Sequence, residues 1–193
     1  MSTRAAAVEV TRERILQAAC DSFVHGWYDD VTLRDVAADA GVALQTLVNH
    51  FGNKEALFGA AAERITDTIS TLRWTVAVGD HEGAATTLVD DYEQTGDFTL
   101  RTLAIEERVP VVRPVLALGR RGHQEWIEHV FAAALTGLRG VNRKRRVAQL
   151  VVATDVFTWK LLRRDKGLSR DQTITAIREL VEALHTHTGG GSK

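Results

Sequence analysis

The sequence predicts an all-α protein of about nine helices, arranged as a three-helix head followed by a larger helical body. Three observations carry this. Apolar residues recur at spacings of three and four rather than two. Only two prolines, Pro110 and Pro114, interrupt a chain of 193 residues. Apolar residues make up 45% and charged residues 25%, the balance of a soluble folded chain and not of bulk disorder. At roughly 150 residues per domain, this length fits one large domain or a small one with a medium one.

The elements follow in order. A first helix follows Thr11, an N-cap candidate, and ends near Gly26; its stripe is Ile15, Leu16, Ala19 and Phe23. A second begins at Thr32, where Thr32-Leu-Arg-Asp35 reads as a capping box with Asp in place of Glu. It buries Leu33, Val36 and Ala37. Gly41 makes a tight corner, and a short third helix carries Val42 to His50. Asn53 caps a fourth, with Leu57, Phe58, Ala61, Ile65, Ile69 and Leu72 on its inner side. After a break at 79–82, helices are expected at about 82–95, 97–108, 111–138, 143–165 and 170–187. Ser169-Arg-Asp-Gln172 caps the last. The tail Gly189 to Lys193 has a flexible composition.

Several classes are excluded. One cysteine, Cys20, allows no intramolecular disulfide framework and no cysteine-based zinc site. Among Leu16, Ala19 and Phe23 it reads as a small buried hydrophobe. No apolar run approaches the roughly 18 residues of a spanning helix, and the start has no signal core, so a cytoplasmic protein without membrane contact is expected. No phosphate loop, nucleophile elbow or HExxH is present. Glu125 with His129, and His185 with His187, lack a third ligand at recognisable spacing. No enzyme activity, metal or cofactor is therefore expected.

Residues 32–51 place two short helices about a glycine, the layout of a helix-turn-helix. Leu47 and Phe51, four apart, pin the second helix to the core, leaving Leu44, Gln45 and Asn49 free to enter a major groove. Alone, this pattern also fits a plain helical hairpin. The longer stretch is more specific. Thr11-Arg-Glu-Arg-Ile-Leu, Phe23, Gly26-Trp27, Thr32-Leu-Arg-Asp-Val-Ala37, Gly41-Val42, Thr46-Leu47, His50-Phe51 and Lys54-Glu-Ala-Leu57 occur in order over about fifty residues. This segment resembles the N-terminal domain of the TetR family of bacterial transcriptional repressors.

The resemblance implies a DNA-binding domain at 1–52 and an effector-binding and dimerisation domain at 53–193. It implies a homodimer on a near-palindromic double-stranded operator, released by a small-molecule effector. The DNA-binding set is then Thr32, Gln45, Thr46, Asn49, His50 and Lys54. Gln45 and Asn49 would read bases, since both amides can bond adenine through two atoms. Thr46, His50 and Lys54 would hold the backbone, Lys54 at a helix N-terminus that favours an anion. The chain departs from the family at Ala43 and Leu44, where a hydroxyl and a lysine are common, and at Val48, where a phenol is common. Those departures motivate an alternative, a helical small-molecule-binding protein or enzyme that has lost operator binding.

In the body, Val147, Leu150, Val151, Thr154, Phe157, Thr158 and Leu161 share one arc of the helix expected at 143–165, and Val152, Val156 and Trp159 extend it. Only Gln149, Ala153, Lys160 and Arg164 are left as an outer strip. A helix apolar nearly all round is buried on two sides, its own core and a partner, or a single larger core. By the resemblance, the last two helices meet their copies in a four-helix interface that includes Val152, Val156, Ile174, Ile177, Val181 and Leu184. Trp74, Phe98, Trp126 and Trp159, with Phe131 and Phe157, either line an apolar effector cavity or are ordinary core aromatics. Arg101, Glu106 and His123 are its candidate anchors. Asp155, inside the apolar arc, needs an interface arginine or a polar group of the ligand. The basic run Arg139 to Arg146 reads as a solvated helix start.

The charge is near balance, 24 Lys and Arg against 25 Asp and Glu, and the head is not basic. Residues 1–58 hold five cations (Arg4, Arg12, Arg14, Arg34, Lys54) and eight acids. Expected binding is therefore modest in salt dependence and needs both subunits.

Overall fold

The structure is a computed structural model that describes residues 3–186. The described residues are helical with no strand, and no helix among them is long and apolar enough to cross a membrane. The helices are α1 (Thr3–His25), α2 (Leu33–Asp39), α3 (Leu44–Phe51), α4 (Lys54–Arg73), α5 (His81–Ala104), α6 (Val112–Val130), α7 (Gly140–Thr154), α8 (Val156–Lys160) and α9 (Arg170–Thr186). A 3₁₀ turn at Ala132–Leu135 follows α6, and a π-helical turn at Leu161–Asp165 extends α8. The tail glycines and His187 lie outside the described residues.

Two compact units divide the chain, one of 3–68 with 98–117 and one of 69–97 with 118–186. The first is built on the expected stripe: Ile15, Leu16, Ala19 and Phe23 of α1 are buried with Val36, Ala37, Leu47, Phe51, Leu57, Phe58 and Ala61. Phe23 and Phe58 meet edge to face with ring centres 4.9 Å apart, the arrangement aromatic quadrupoles favour. Leu33 is half-buried. Two expectations change. Helix α1 starts eight residues before Thr11, because Ala5-Ala-Ala-Val-Glu-Val10 contains no breaker and alanine is the best helix former. Thr11 is thus interior, its Oγ1 donating to the Ala7 carbonyl at 2.9 Å. Leu72, expected inside, is exposed.

The second unit buries Leu88, Val89, Tyr92, Trp126, Ile127, Val130, Leu150, Trp159 and Ile177. The two helices expected at 82–95 and 97–108 are the single α5. Gly96 lies inside it, buried, because a Cβ there would stand 2.6 Å from the Trp159 ring. The glycine provides clearance and not a break.

The helix expected at 143–165 is instead broken at Asp155, whose backbone is extended (φ −74°, ψ 153°). Its carboxylate accepts the Phe157 N–H at 2.9 Å and caps α8. The break and the π-helical turn reset the helical phase. Phe157 and Leu161, placed on the apolar arc of an unbroken helix, lie beyond the break and are exposed; Ala153, placed on the outer strip, lies before it in α7 and is buried by packing within its own unit. The same packing alters the expected interface. Val156, Ile174, Ile177 and Val181 are 7% exposed or less and fill the core of their own unit. Leu184 is half-buried, and Val152, at 67% exposed, faces outward.

Candidate nucleic-acid interface

Helix α2 is entered as its sequence implies. Thr32 is extended, and its Oγ1 accepts the Asp35 N–H at 3.2 Å and donates to the Asp35 carboxylate at 2.6 Å. The chain leaves α2 through Gly41, whose φ of +64° is left-handed and costs a glycine little. The Val42 N–H then returns to the Ala37 carbonyl at 2.9 Å, closing the corner. Helix α3 divides sharply by face. Leu47 and Phe51 are buried, Gln45 and Asn49 are exposed, and Thr46, Val48 and His50 are half-buried between them. The Gln45 Nε2 donates to Asn49 Oδ1 at 3.0 Å, so the two amides stand side by side one turn apart. Leu44, 40% exposed, adds an apolar edge to that face.

Most cations of the head are engaged within it. Lys54 donates to the Asp29 carbonyl at 3.2 Å and lies 4.6 Å over the Tyr28 ring. Burial pulls its ammonium below the usual lysine range, against the attraction of Asp29 and Asp30. Arg108 grips Asp29 with two bonds of 2.9 and 2.6 Å. Arg12, 5.1 Å from the Phe51 ring, lies over it, and Arg64 holds Glu13 in a bidentate pair at 2.7 and 2.6 Å. Arg34 is exposed. Arg12 over Phe51 and Arg14, which donates to the Ala40 and Gly41 carbonyls, therefore serve the fold, and their intramolecular use was not legible from charge counts.

The residues expected around an effector divide between the two units. In the first, Phe98 is buried with its ring 6.3 Å from Phe58, and Arg101 donates to the Val24 carbonyl while lying 5.8 Å over Trp27. In the second, Trp126 and Trp159 are fully buried core residues. Their Nε1 groups donate to the Arg73 carbonyl at 2.7 Å and to Glu93 at 3.1 Å. Trp74 is exposed with its ring 5.0 Å from His129, and Asp155 is a helix cap.

The second unit also contains a polar cluster that sequence reading only touched at His123. Arg73, buried, pairs with Asp91 at 2.6 Å and its Nη1 lies 2.8 Å from His123 Nδ1. His123 Nε2 lies 3.2 Å from Thr154 Oγ1, and the Tyr92 hydroxyl donates to the Thr154 carbonyl at 3.0 Å. Burial, and then the Arg73 charge, pushes the His123 imidazole down to about 3, so it is neutral. An acid at Asp91, beside the apolar stripe of Leu88, Val89 and Tyr92, was the available signal. Among the described residues no group of three or more His, Cys, Asp or Glu could hold a metal.

An open groove of about 500 Å³ runs between α7 and α9, lined by Ala148, Val152, Leu180, Ala183 and Leu184, with Arg145 at its edge.

The comparisons with known proteins agree with the head's geometry. Residues 15–61 match the family model of the bacterial regulatory proteins of the tetR family. No curated protein matches the chain in sequence. Among solved structures, the chain is similar to a tetR-family transcriptional regulator from Streptomyces coelicolor (15% identity, TM-score 0.73, covering 95% of this chain and 80% of that one). It is also similar to a transcriptional regulator from Rhodococcus sp. Rha1 (17% identity, TM-score 0.71, covering 91% and 96%). A third is the multidrug binding protein EbrR, solved with ethidium (20% identity, TM-score 0.61, covering 88% and 97%). Residues 15–61 of this protein are thus similar to the tetR family of bacterial regulatory proteins, and the chain as a whole has the fold of solved TetR-family regulators.

Proposed function

We propose that this protein is a ligand-responsive repressor that binds a palindromic operator as a homodimer and leaves it when a small molecule occupies the body. The observation that carries the DNA-binding reading is the division of α3. Leu47 and Phe51 hold it from within, while Gln45 and Asn49 stand exposed and adjacent. Each amide exchanges its bond to the other for a base edge in the major groove. Thr46 and His50, beside that face, take phosphate contacts; Thr32 and Lys54, at the starts of α2 and α4, complete the set.

The α7–α9 groove supports the homodimer. Val152 and Leu180, 67% and 45% exposed, stand together in this groove with Ala148 and Leu184 as a contiguous apolar surface of the kind that marks an interaction site. A two-fold axis through the groove would bury both with their copies. The body is proposed to take a largely apolar effector, as a chain of similar fold was solved with ethidium. Release requires the effector to bind the DNA-free arrangement more tightly than the DNA-bound one.

Selection from a pool of random duplex DNA at moderate salt tests the reading. A recovered palindrome is the expected result. No enrichment at any salt overturns it, and a ligand still bound by such a protein favours a helical small-molecule binder that has lost its operator. Ala43, Leu44 and Val48, apolar on the reading helix, favour that second outcome. Sedimentation at micromolar concentration is expected to give a dimer, and a monomer removes the two-fold arrangement.

A further inference from the structure

Three consecutive side chains of α1 reach three different elements of the head. Successive helical residues point about 100° apart, so one helix can address several neighbours at once. Arg12 lies over the Phe51 ring of α3, Glu13 takes the bidentate Arg64 pair from α4, and Arg14 turns to the corner between α2 and α3. Nη2 of Arg14 donates to the Ala40 carbonyl and, at 3.2 Å, to the Gly41 carbonyl. Ala40 is the C-cap of α2, where carbonyls carry the negative end of the helix dipole and have no partner further along the helix. A guanidinium there satisfies both needs. The guanidinium lies close to Gly41: a Cβ at this glycine would stand 2.8 Å from Arg14 Nη2. It is the positive φ that reserves the corner for glycine, since the arginine end is flexible and can shift aside.

We infer that Arg14 is a positioning residue for DNA reading: its guanidinium, clamped on the Ala40 and Gly41 carbonyls, fixes the angle at which α3 leaves the corner and presents Gln45 and Asn49. Arg14 does this from the far side of the turn, through the backbone. A neutral side chain leaves the corner free to hinge about Gly41. Base contacts need alignment to a fraction of an ångström and are lost first; phosphate contacts, made by flexible chains over longer range, persist. The inference rests on the DNA-binding reading.

The test uses the full-length protein and the duplex it selects. Wild type, Arg14→Gln and Arg14→Lys are compared for affinity, salt slope and tolerance of single base changes, with thermal unfolding as the check of folding. Arg14→Gln is expected to weaken binding by about 10- to 100-fold, the usual weight of a charge-assisted hydrogen bond. Its salt slope should equal that of wild type, and its discrimination between selected and altered sites should flatten. Arg14→Lys, which keeps the charge and one donor, should recover part of both losses. A slope lower by about one in Arg14→Gln makes Arg14 a phosphate contact and overturns the inference. Unchanged affinity and discrimination overturn it too. If Arg14→Gln does not fold, Arg14→Lys carries the same comparison: weaker discrimination at an unchanged slope supports the inference, and wild-type discrimination sinks it. A wild type that selects no duplex refutes the DNA-binding reading itself, a result distinct from all of these.

Discussion

Cys20 sits among Ile15, Leu16, Ala19 and Phe23 on the inner face of α1, with its Sγ 3.7 Å from the Ala61 carbonyl. Burial pushes the thiol up to about 11, so almost no thiolate exists near neutrality. The native protein is therefore expected to resist a disulfide reagent at pH 8 and to react with one equivalent once denaturant is added. Stoichiometric labelling of the native protein refutes that burial. His123 gives a pH dependence with a definite sign. Its folded pKa of about 3 lies below the unfolded value of about 6.5, so the native state binds fewer protons. The stabilisation from keeping it neutral is complete above about 6.5 and declines as pH falls from there toward 3. Replacing His123 by Gln should flatten the acid limb of the stability curve, measured by urea midpoints between pH 7 and pH 4. Lys54 carries a prediction about DNA. To meet a phosphate it must give up the Asp29 carbonyl and the Tyr28 ring. Lys54→Ala should weaken all duplexes alike and lower the salt slope by about one; an unchanged slope assigns Lys54 to the fold alone.

The helices show where local pattern suffices and where it does not. Helix α3 was legible because its buried pair, Leu47 and Phe51, and its exposed pair, Gln45 and Asn49, are each four residues apart. Helix α5 was misread because Gly96 has the sequence mark of a break and the spatial role of clearance. The two readings predict opposite effects of Gly96→Ala. In an open helix it would stabilise by about 1 kcal/mol through propensity. Against the fully buried Trp159 ring, overpacking costs about 1–3 kcal/mol and wins, so thermal unfolding should show a net loss. The Asp155 break was equally invisible, since a lone acid in an apolar run reads as a buried charge. As the cap of α8 its removal should cost about 1 kcal/mol in Asp155→Ala, measured by urea unfolding. At the α5 and α9 ends, His81 and His185 face each other with ring centres 5.0 Å apart, beside Phe131, Asp80 and Glu182. Burial, then His185, holds His81 below the ordinary histidine range, so this contact too weakens as pH falls below about 6.5.

For the proposed homodimer, the decisive question is which apolar residues are already used. Val156, Ile174, Ile177 and Val181 have the spacing of an interface stripe but are spent on their own core, whereas Val152 and Leu180 remain outside. The double substitution Val152→Glu with Leu180→Glu should therefore give a folded monomer by sedimentation and abolish operator binding. Val156→Glu should instead unfold the unit. A dimer that survives the first pair moves the interface elsewhere.

Helix content, the corner at Gly41 and the two faces of α3 were legible from the chain alone because each depends on residues within a turn or two of one another. The placement of the head's cations, the Arg73–Asp91–His123 cluster and the division of the expected effector residues were not, because they join side chains 18 to 79 positions apart. A helical wheel counts angle from the last residue. One extended residue at 155 and one π turn after it reset that count, and only packing in three dimensions fixes which apolar side faces inward.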